Sequence, residues 1–367
     1  MTLKASALVF LWMASVSAQV VLTRGVYSDP KPLWAAGARL DELHVNAVFV
    51  SGGSINQALM DRAKAEGAKV FAEFPTLNGK GYVETHPEAW PINEKGEPAP
   101  AASWFMGVCP TDPAFRQFRV KQLEELLGRF EVAGVWLDYF HWHAQFEEPQ
   151  PILPETCFNH SCLRAFQKAS GIQLPNLQPA EAARYILSKH EKAWREWRVQ
   201  VLEGWAVELR KIVKRIRPDA QLGLYHCAWT DDEFSGARVR ILGLDLQRLN
   251  RSFDVFSPMV YHRRMGRSPQ WVGEYVRWLS ARVGAFKVWP IVQASGDPNQ
   301  ISAAEFETVM RLGVIPGTGT LAATGGIMMF TTRAIADDPA KAERLRRLYQ
   351  EWSPEGQPRV KGPKPIR

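Results

Sequence analysis

The chain has 367 residues, of which 46% are hydrophobic and 23% charged, and its formal net charge is +7. This composition allows a substantial core, and although the length permits two domains, single α/β barrels commonly occupy this range. The positive charge lies mainly along predicted helices, where it is typical of a solvated surface. No nucleic-acid motif accompanies it, so we expect no nucleic-acid partner.

The first eighteen residues have the pattern of a signal peptide. Lys4 supplies a positive charge, residues 7–16 are mostly apolar, and Val16-Ser17-Ala18 is a small-residue cleavage motif before Gln19. The apolar run is too short to span a membrane, and no later stretch approaches about twenty uninterrupted apolar residues. We expect residues 1–18 to be removed, the mature protein to be secreted or periplasmic, and no integral membrane segment to remain. A retained N-terminal anchor is the alternative.

Apolar strands alternate with helical segments along the rest of the chain. The predicted strands are residues 20–27, 45–50, 69–74, 132–139, 221–229, 255–261, 287–293 and 326–330. The predicted helices include one long helix over residues 180–217, with a continuous apolar stripe, and another over residues 238–249. Long excursions follow the third and fourth strands.

Eight strands alternating with helices predict an α/β protein with a single (β/α)8 TIM barrel over residues 19–352. The long loops after strands 3 and 4 should rise beside its mouth. A doubly wound open sheet is the alternative, but no glycine-rich phosphate loop follows the first strand. Residues 353–367 are rich in Pro, Gly and basic residues, which predicts a disordered basic tail.

The stretch Glu131–His143, EVAGVWLDYFHWH, carries the strongest functional signal. A short apolar strand ends in Asp138 and is followed directly by four aromatic or imidazole side chains. A carboxylate at the carboxyl end of a barrel strand lies where active sites form in this architecture. The alternative is that Asp138 caps a turn or pairs with a neighbouring arginine.

Carboxylates among aromatic residues at strand ends suit glycoside hydrolysis, in which one acid is protonated and a second is ionised. Asp138 is the first candidate for an essential carboxylate. The second is left open between Glu73, near the end of the third strand, and Asp232 or Glu233, after the fifth. Structural alternatives are an ion pair for Glu73 and a solvated loop or helix cap for the other two.

Further residues at predicted strand ends are candidates for binding a sugar. They are Asp29, His141, His226, Trp229, Asp231, Tyr261 and Gln293. The sequence has no GxSxG elbow, HExxH pair or phosphate-binding loop, so we expect neither a catalytic metal nor a cofactor.

The cysteines suggest a local cross-link. In an exported chain Cys157 and Cys162, in CFNHSC, predict a disulfide that closes a small loop. The alternative is a zinc site that uses both thiolates, His160 and a ligand from elsewhere. Cys109 and Cys227 either pair or remain as free buried thiols.

Several segments together resemble a known family. The earlier segments are HPEAWPINEKGEP, GVCPTDPAFR, GVWLDYFHW, and the cysteine pair with a following F-x-K-x-x-G; the later ones are FDVFSPMVYH, KVWPIVQA and GGIMMF. Together they resemble glycoside-hydrolase-like TIM-barrel proteins. These are exported bacterial proteins loosely related to the α-amylase-like and family 10-like hydrolases. The α-amylase-like pattern implies a nucleophile at Asp138. It also has a Glu closing strand five, where this chain has Trp229-Thr230-Asp231-Asp232, with Glu233 slightly later.

The leading hypothesis is therefore an exported glycoside hydrolase that cleaves a poly- or oligosaccharide with a carboxylate pair including Asp138. The alternative is a carbohydrate-binding barrel without catalysis, which the departure on strand five favours.

Overall fold

The computed structural model describes residues 19–356, apart from residue 103 and residues 297–299 and 318–321. The predicted signal peptide lies outside the described residues. So does the predicted tail beyond residue 356, whereas Pro354–Gly356 forms a 3-10 turn. No helix in the described ranges is long and apolar enough to cross a membrane.

Eight parallel strands close into a barrel in sequence order, which confirms the predicted (β/α)8 fold. The strands are β1 (Thr23–Tyr27), β2 (Ala47–Ser51), β3 (Lys69–Pro75), β4 (Gly134–Asp138), β5 (Gln221–Cys227), β6 (Val255–Val260), β7 (Ile291–Gln293) and β8 (Gly326–Phe330). Strands such as β4 and β6 are buried along their whole length. Burial on both faces explains why they read as continuous apolar runs rather than alternating ones.

Helices surround the barrel and connect successive strands. They are α1 (Lys31–Ala35), α2 (Gln57–Ala65), α3 (Lys80–Thr85), α4 (Pro113–Arg129), α5 (His160–Ser170), α6 (Pro179–Lys189), α7 (Glu191–Ile216), α8 (Ala237–Arg240), α9 (Leu246–Leu249), α10 (Pro269–Val283), α11 (Ala303–Leu312), α12 (Thr332–Ala336) and α13 (Pro339–Glu351). Further 3-10 turns are Gly52–Ser54, Pro87–Ala89 and Ala285–Lys287.

Two predicted helices are wrong in extent. The long helix over residues 180–217 is broken at His190, whose φ of −136° is not helical, so α6 and α7 are separate. The predicted helix over residues 238–249 consists of the short helices α8 and α9. Between them Gly243 has a φ of +71°, and the Asp245 carboxylate caps α9 by accepting from two backbone N–H groups. Apolar spacing persists through both breaks, so periodicity alone does not reveal them.

Aromatic side chains fill the lower interior of the barrel. The rings of Phe49 and Phe71 stack at 4.7 Å, and the Trp136 ring meets each of them edge-on at 5.0 Å. The Trp136 indole N–H donates to the Ser257 hydroxyl oxygen at 2.9 Å. These buried rings form a floor, called the aromatic floor below, beneath the carboxyl ends of the strands.

Two loops, each defined here by its residues, rise from that end. The β3 loop comprises residues 76–112 and the β4 loop residues 139–159, in agreement with the predicted excursions after strands 3 and 4. They touch each other through an antiparallel bridge between Asn93 and Thr156, and the Phe158 N–H donates to the Ile92 carbonyl oxygen at 2.9 Å. The loops therefore form one joined wall.

Replacing Gly223 with alanine should test the aromatic floor, because a Cβ there would lie 2.2 Å from Cε2 of Trp136. Overpacking of this kind lowers the free energy of unfolding by about 1–3 kcal/mol, measurable by chemical denaturation. Gly128→Ala in α4 is the control, since nothing lies within 4 Å of a Cβ at that position. It should be neutral or slightly stabilising. Equal stability of the two variants would contradict a tightly packed floor.

Candidate active site

Alternation along the strands brings Glu73 and Asp138 into the barrel above the aromatic floor. Glu73 lies two residues beyond Phe71 on β3, and Asp138 two residues beyond Trp136 on β4. Residues two apart on a strand share a face, so both carboxyl groups point inward like the rings below them. The two-residue alternation that turns the core rings into the barrel therefore also turns both acidic side chains into it.

The Asp138 carboxyl group is nearly dehydrated. The residue is 9% exposed, and within the described part of the chain its carboxyl group accepts one hydrogen bond, from the Tyr139 N–H to Oδ1 at 2.8 Å. Burial raises the pKa of Asp138 well above its usual range, and the charges of Glu73 and Glu147 raise it further. An acid in this environment retains its proton, as a general acid requires.

The backbone conformation after Asp138 is unusual. Tyr139 has a φ of +51°, in the left-handed region that non-glycine residues rarely adopt. Such residues cluster at functional sites, where the surrounding packing holds them in place. Here the Tyr139 ring stacks on Phe105 of the β3 loop, with centroids 5.2 Å apart and planes at 5°.

Two glutamates accompany Asp138. The Tyr27 hydroxyl donates to Oε2 of Glu73 at 2.5 Å, and an Arg264 Nη1 lies 3.0 Å from Oε2 of Glu147. Burial raises the pKa of each glutamate, while the Tyr27 hydrogen bond and the Arg264 charge oppose that rise. Both glutamates thus have a partner that favours the ionised form, whereas no cation of the described residues pairs with Asp138.

A narrow cleft, open to solvent at its mouth, lies above Asp138. Its lining residues are Trp104, Phe105, Asp138, Tyr139, His141, Ala144, Gln145, Phe146, Glu147, Tyr225 and Met259. Trp104 is 41% exposed, and the Arg264 guanidinium lies 5.3 Å from the centre of its ring. Aromatic faces and a few convergent polar groups are typical of a small-molecule or sugar cleft.

Several residues predicted to bind a sugar lie in or around this cleft. His141 lines it, and burial lowers the pKa of His141 to about 4, so its ring is neutral. Tyr261 packs on Phe330 at 4.8 Å, and the Trp229 ring lies behind Phe146 at 6.0 Å.

Gln293 acts through another residue. Its Oε1 accepts from the backbone N–H groups of Arg263 and Arg264, at 3.1 Å each. Gln293 therefore holds the segment that carries Arg264 to Glu147, a positioning role that the sequence did not indicate.

Other predicted residues are not brought to the cleft. His226 points out of the barrel, where its ring lies against Phe256 and Tyr275. It follows inward-facing Tyr225, so alternation along β5 turns it away. Asp29, at the end of the first strand, is paired with the exposed Lys31 at 3.2 Å.

The acidic cluster after β5 also faces elsewhere. Asp231 forms ion pairs with Arg238 and Arg282, and Glu233 pairs with Arg267 at 2.5 Å. Asp232 is exposed. Two members of this cluster thus serve as ion-pair partners rather than as neighbours of Asp138.

Sequence reasoning missed four of the residues that shape the cleft: Trp104, Tyr139, Glu147 and Arg264. Glu147 and Trp104 lie in the two long loops, and loops of that length in a compact domain are often functional. The unusual loop length was therefore an available signal, but it did not identify which side chains turn inward.

The structure does not show the predicted Cys157–Cys162 disulfide, and all four cysteines are free in it. Cys162 instead faces Cys109 of the β3 loop, with the sulfur atoms 3.2 Å apart. His160 is exposed and is not grouped with them, and Cys227 lies apart on β5. The sequence prediction considered the nearby pair Cys157 and Cys162, so it did not place Cys109 beside them.

No protein-family model and no curated protein sequence matches the chain. Among solved structures, the glycoside hydrolase domain of PgaB (BpsB) from Bordetella bronchiseptica has a TM-score of 0.64 and 17% identity, covering 89% of this chain and 99% of that one. A β-galactosidase from the psychrophilic Marinomonas ef1 has a TM-score of 0.63 and 14% identity, covering 89% of this chain and 59% of that one. A polyextremophilic β-galactosidase from the Antarctic haloarchaeon Halorubrum lacusprofundi has a TM-score of 0.63 and 12% identity, covering 90% of this chain and 58% of that one.

This chain thus spans more than half, but less than two thirds, of the two β-galactosidases. At these identities the likeness establishes the fold. The chain has the same (β/α)8 TIM-barrel fold as these glycoside hydrolases, which is the fold that the resemblance in sequence implied.

The raised pKa of Asp138 predicts a pH-dependent loss of stability. An unfolded Asp titrates near 3.9, so the contribution of Asp138 to the free energy of unfolding is greatest below about that pH and declines as the pH rises toward the higher pKa of the folded state. Asp138→Asn removes this titration. The free energy of unfolding of Asp138→Asn should therefore exceed that of the wild type, and the difference should grow from about pH 4 to pH 7. Urea denaturation measures it.

Asp232→Asn is the matched control, since Asp232 is exposed. It should leave the pH dependence of stability as in the wild type. A constant difference between wild type and Asp138→Asn across this pH range would contradict a raised pKa.

Proposed function

We propose that this protein is a glycoside hydrolase that uses Asp138 as its general acid on a poly- or oligosaccharide. One observation carries the proposal: a buried carboxyl group with a raised pKa lies beside two other carboxyl groups in an aromatic cleft. The cleft opens at the carboxyl ends of the barrel strands, where active sites form in this fold. The fold shared with a glycoside hydrolase domain and with β-galactosidases supports this class of reaction.

In the proposed reaction, Asp138 donates its proton to the glycosidic oxygen as the bond to the anomeric carbon breaks. Protonation lets the leaving sugar depart as a neutral alcohol, and Asp138 becomes a carboxylate. The family resemblance implied a nucleophile at this position. Dehydration favours the acid role instead, because the part of the chain that the structure describes would give an ionised Asp138 one hydrogen bond and no cation.

Glu147 is our candidate for the ionised carboxylate of the pair. It lines the same cleft, and Arg264 stabilises its negative charge. In this role it either attacks the anomeric carbon or activates a water molecule. Glu73, hydrogen-bonded to Tyr27, would keep Asp138 protonated through its own negative charge.

A second candidate function is carbohydrate binding without hydrolysis. It is favoured by the loop after β5, where the Thr230 N–H and Arg267 both engage Glu233. The acid expected near strand five is therefore not available in the cleft. In this case the aromatic cleft would hold a glycan that is not cleaved.

Asp138→Asn should lower kcat on oligosaccharides by roughly 10²- to 10⁴-fold, the usual contribution of a general acid. The loss should be much smaller on dinitrophenyl glycosides, whose leaving group needs little protonation. Glu147→Gln should lose activity on both kinds of substrate. Initial rates across panels of polysaccharides and aryl glycosides provide the measurement.

The control for these variants is Asp232→Asn, which should keep full activity. Unchanged kcat in Asp138→Asn would reject the assignment of Asp138. Glycan binding by the wild type, without turnover on any substrate of the panels, would favour the second candidate function.

Trp104→Ala should weaken glycan binding, because the exposed ring offers an apolar face to sugar C–H groups. We expect KM or Kd to rise roughly three- to tenfold, with kcat nearly unchanged. Phe286→Ala is the control: Phe286 is 57% exposed but precedes β7, at the opposite end of the barrel. An equal effect of both substitutions would contradict a sugar platform at Trp104.

A further inference from the structure

Three cysteines from separate segments meet beneath the joined loops. Cys109 belongs to the β3 loop, Cys157 to the β4 loop and Cys162 to the first turn of α5. All three are fully buried, and their sulfur atoms lie within 4.8 Å of one another. The cluster is built from residues outside the cleft lining, so it is separate from the proposed reaction.

Further polar groups complete the surroundings of the sulfur atoms. The Thr111 hydroxyl oxygen lies 3.2 Å from the sulfur of Cys109 and 3.0 Å from that of Cys162. The Ile92 N–H donates to the Cys157 sulfur at 3.4 Å. An oxygen atom beside two of the three sulfur atoms supplies a fourth potential ligand, and an N–H···S contact stabilises negative charge on sulfur.

A buried cation lies close to this cluster. Arg198 is fully buried, and its charge interacts with the sulfur groups of Cys157 and Cys162. Its guanidinium also stacks on Trp142 at 4.8 Å and donates to the Arg240 carbonyl oxygen at 2.8 Å. It also lies 3.5 Å from Oε2 of Glu155, so Arg198 shares its charge between that carboxylate and the cluster, where three thiolates around a divalent cation would carry a net charge of −1.

We propose that Cys109, Cys157 and Cys162 bind a thiophilic d¹⁰ cation, Zn²⁺ or Cu⁺, in a structural site. Both cations prefer soft thiolate ligands. Zn²⁺ would take the three thiolates and an oxygen in tetrahedral coordination, the oxygen coming from Thr111 or water, whereas Cu⁺ would need the three sulfur atoms alone. On binding, three S–H bonds break, three metal–sulfur bonds form, and three protons pass to solvent.

The cation would tie together the two loops that wall the cleft. Cys157 directly follows Thr156, which already bridges to Asn93 of the β3 loop. A metal ion bound to the three cysteines would stabilise the contact between the β3 loop and the β4 loop from a buried position. Metal binding should therefore stabilise the loops that carry Trp104 and Glu147.

The test uses the full-length protein purified with a reductant and then incubated with Zn²⁺ or Cu⁺ in separate samples. After gel filtration, elemental analysis should find one metal ion per chain in at least one sample. Cys162→Ser should lose this stoichiometry. Cys227→Ser should retain it, because Cys227 is buried apart from the cluster.

If Cys162→Ser does not fold, the wild type alone decides the question. A chelator should then lower the melting temperature, and the same metal should restore it. Co²⁺ substitution should add sulfur-to-cobalt charge-transfer bands, which a site without thiolate ligands cannot produce.

Two results would overturn the proposal. In one, the denatured oxidised chain has only two titratable thiols, and peptide mapping finds a disulfide within the cluster. In the other, all four thiols remain titratable and neither metal is retained after gel filtration. The second result would leave three buried thiols that contribute only to packing.

Discussion

Dehydration of the Asp138 carboxyl group is the constraint on which the rest of the site depends. The aromatic floor packs against the site from below, and the two long loops enclose the cleft above the carboxyl group. A carboxylate in such surroundings would have little solvation, so the protonated form is favoured. The same groups that give the barrel its core thus also set the chemistry of the acid above it.

The two loops turn a generic barrel into a specific cleft. The β3 loop contributes the exposed Trp104 and the ring of Phe105, and the β4 loop contributes Tyr139 and Glu147. Each loop has backbone hydrogen bonds of its own, from Val108 to Leu77 in the β3 loop and between Gln145 and Ile152 in the β4 loop. Their mutual bridge and the cysteine cluster below it explain how these loops, irregular apart from α3 and a 3-10 turn, hold side chains in place.

Much of the fold was predictable because it depends on local patterns. Buried strands appear in the sequence as short apolar runs, and amphipathic helices appear as apolar residues at helical spacing. Asp138 was identified because it is a charged residue at the end of an apolar strand. The break at His190 left no such trace, since the apolar spacing continues through it. His226 shows a different limit, because a shift of one residue along a strand reverses the direction of the side chain.

The sequence did not predict the roles of residues that are set by contacts between segments far apart in the chain. Glu147 becomes a neighbour of Asp138 only through the path of the β4 loop. Arg264 reaches Glu147 because Gln293, from another strand, holds the backbone beside it. Cys109 joins Cys162 across 53 positions of sequence, and no spacing rule connects them.

The protonation state of Asp138 tests the central claim most directly. Infrared difference spectra of wild type minus Asp138→Asn, recorded as a function of pH, isolate the carbonyl stretch of its protonated carboxyl group. A dehydrated general acid should keep this band at neutral pH, far above the range in which exposed aspartates lose theirs. Loss of the band near about pH 4, with the ordinary aspartates, would contradict both the dehydration of Asp138 and its role as the acid.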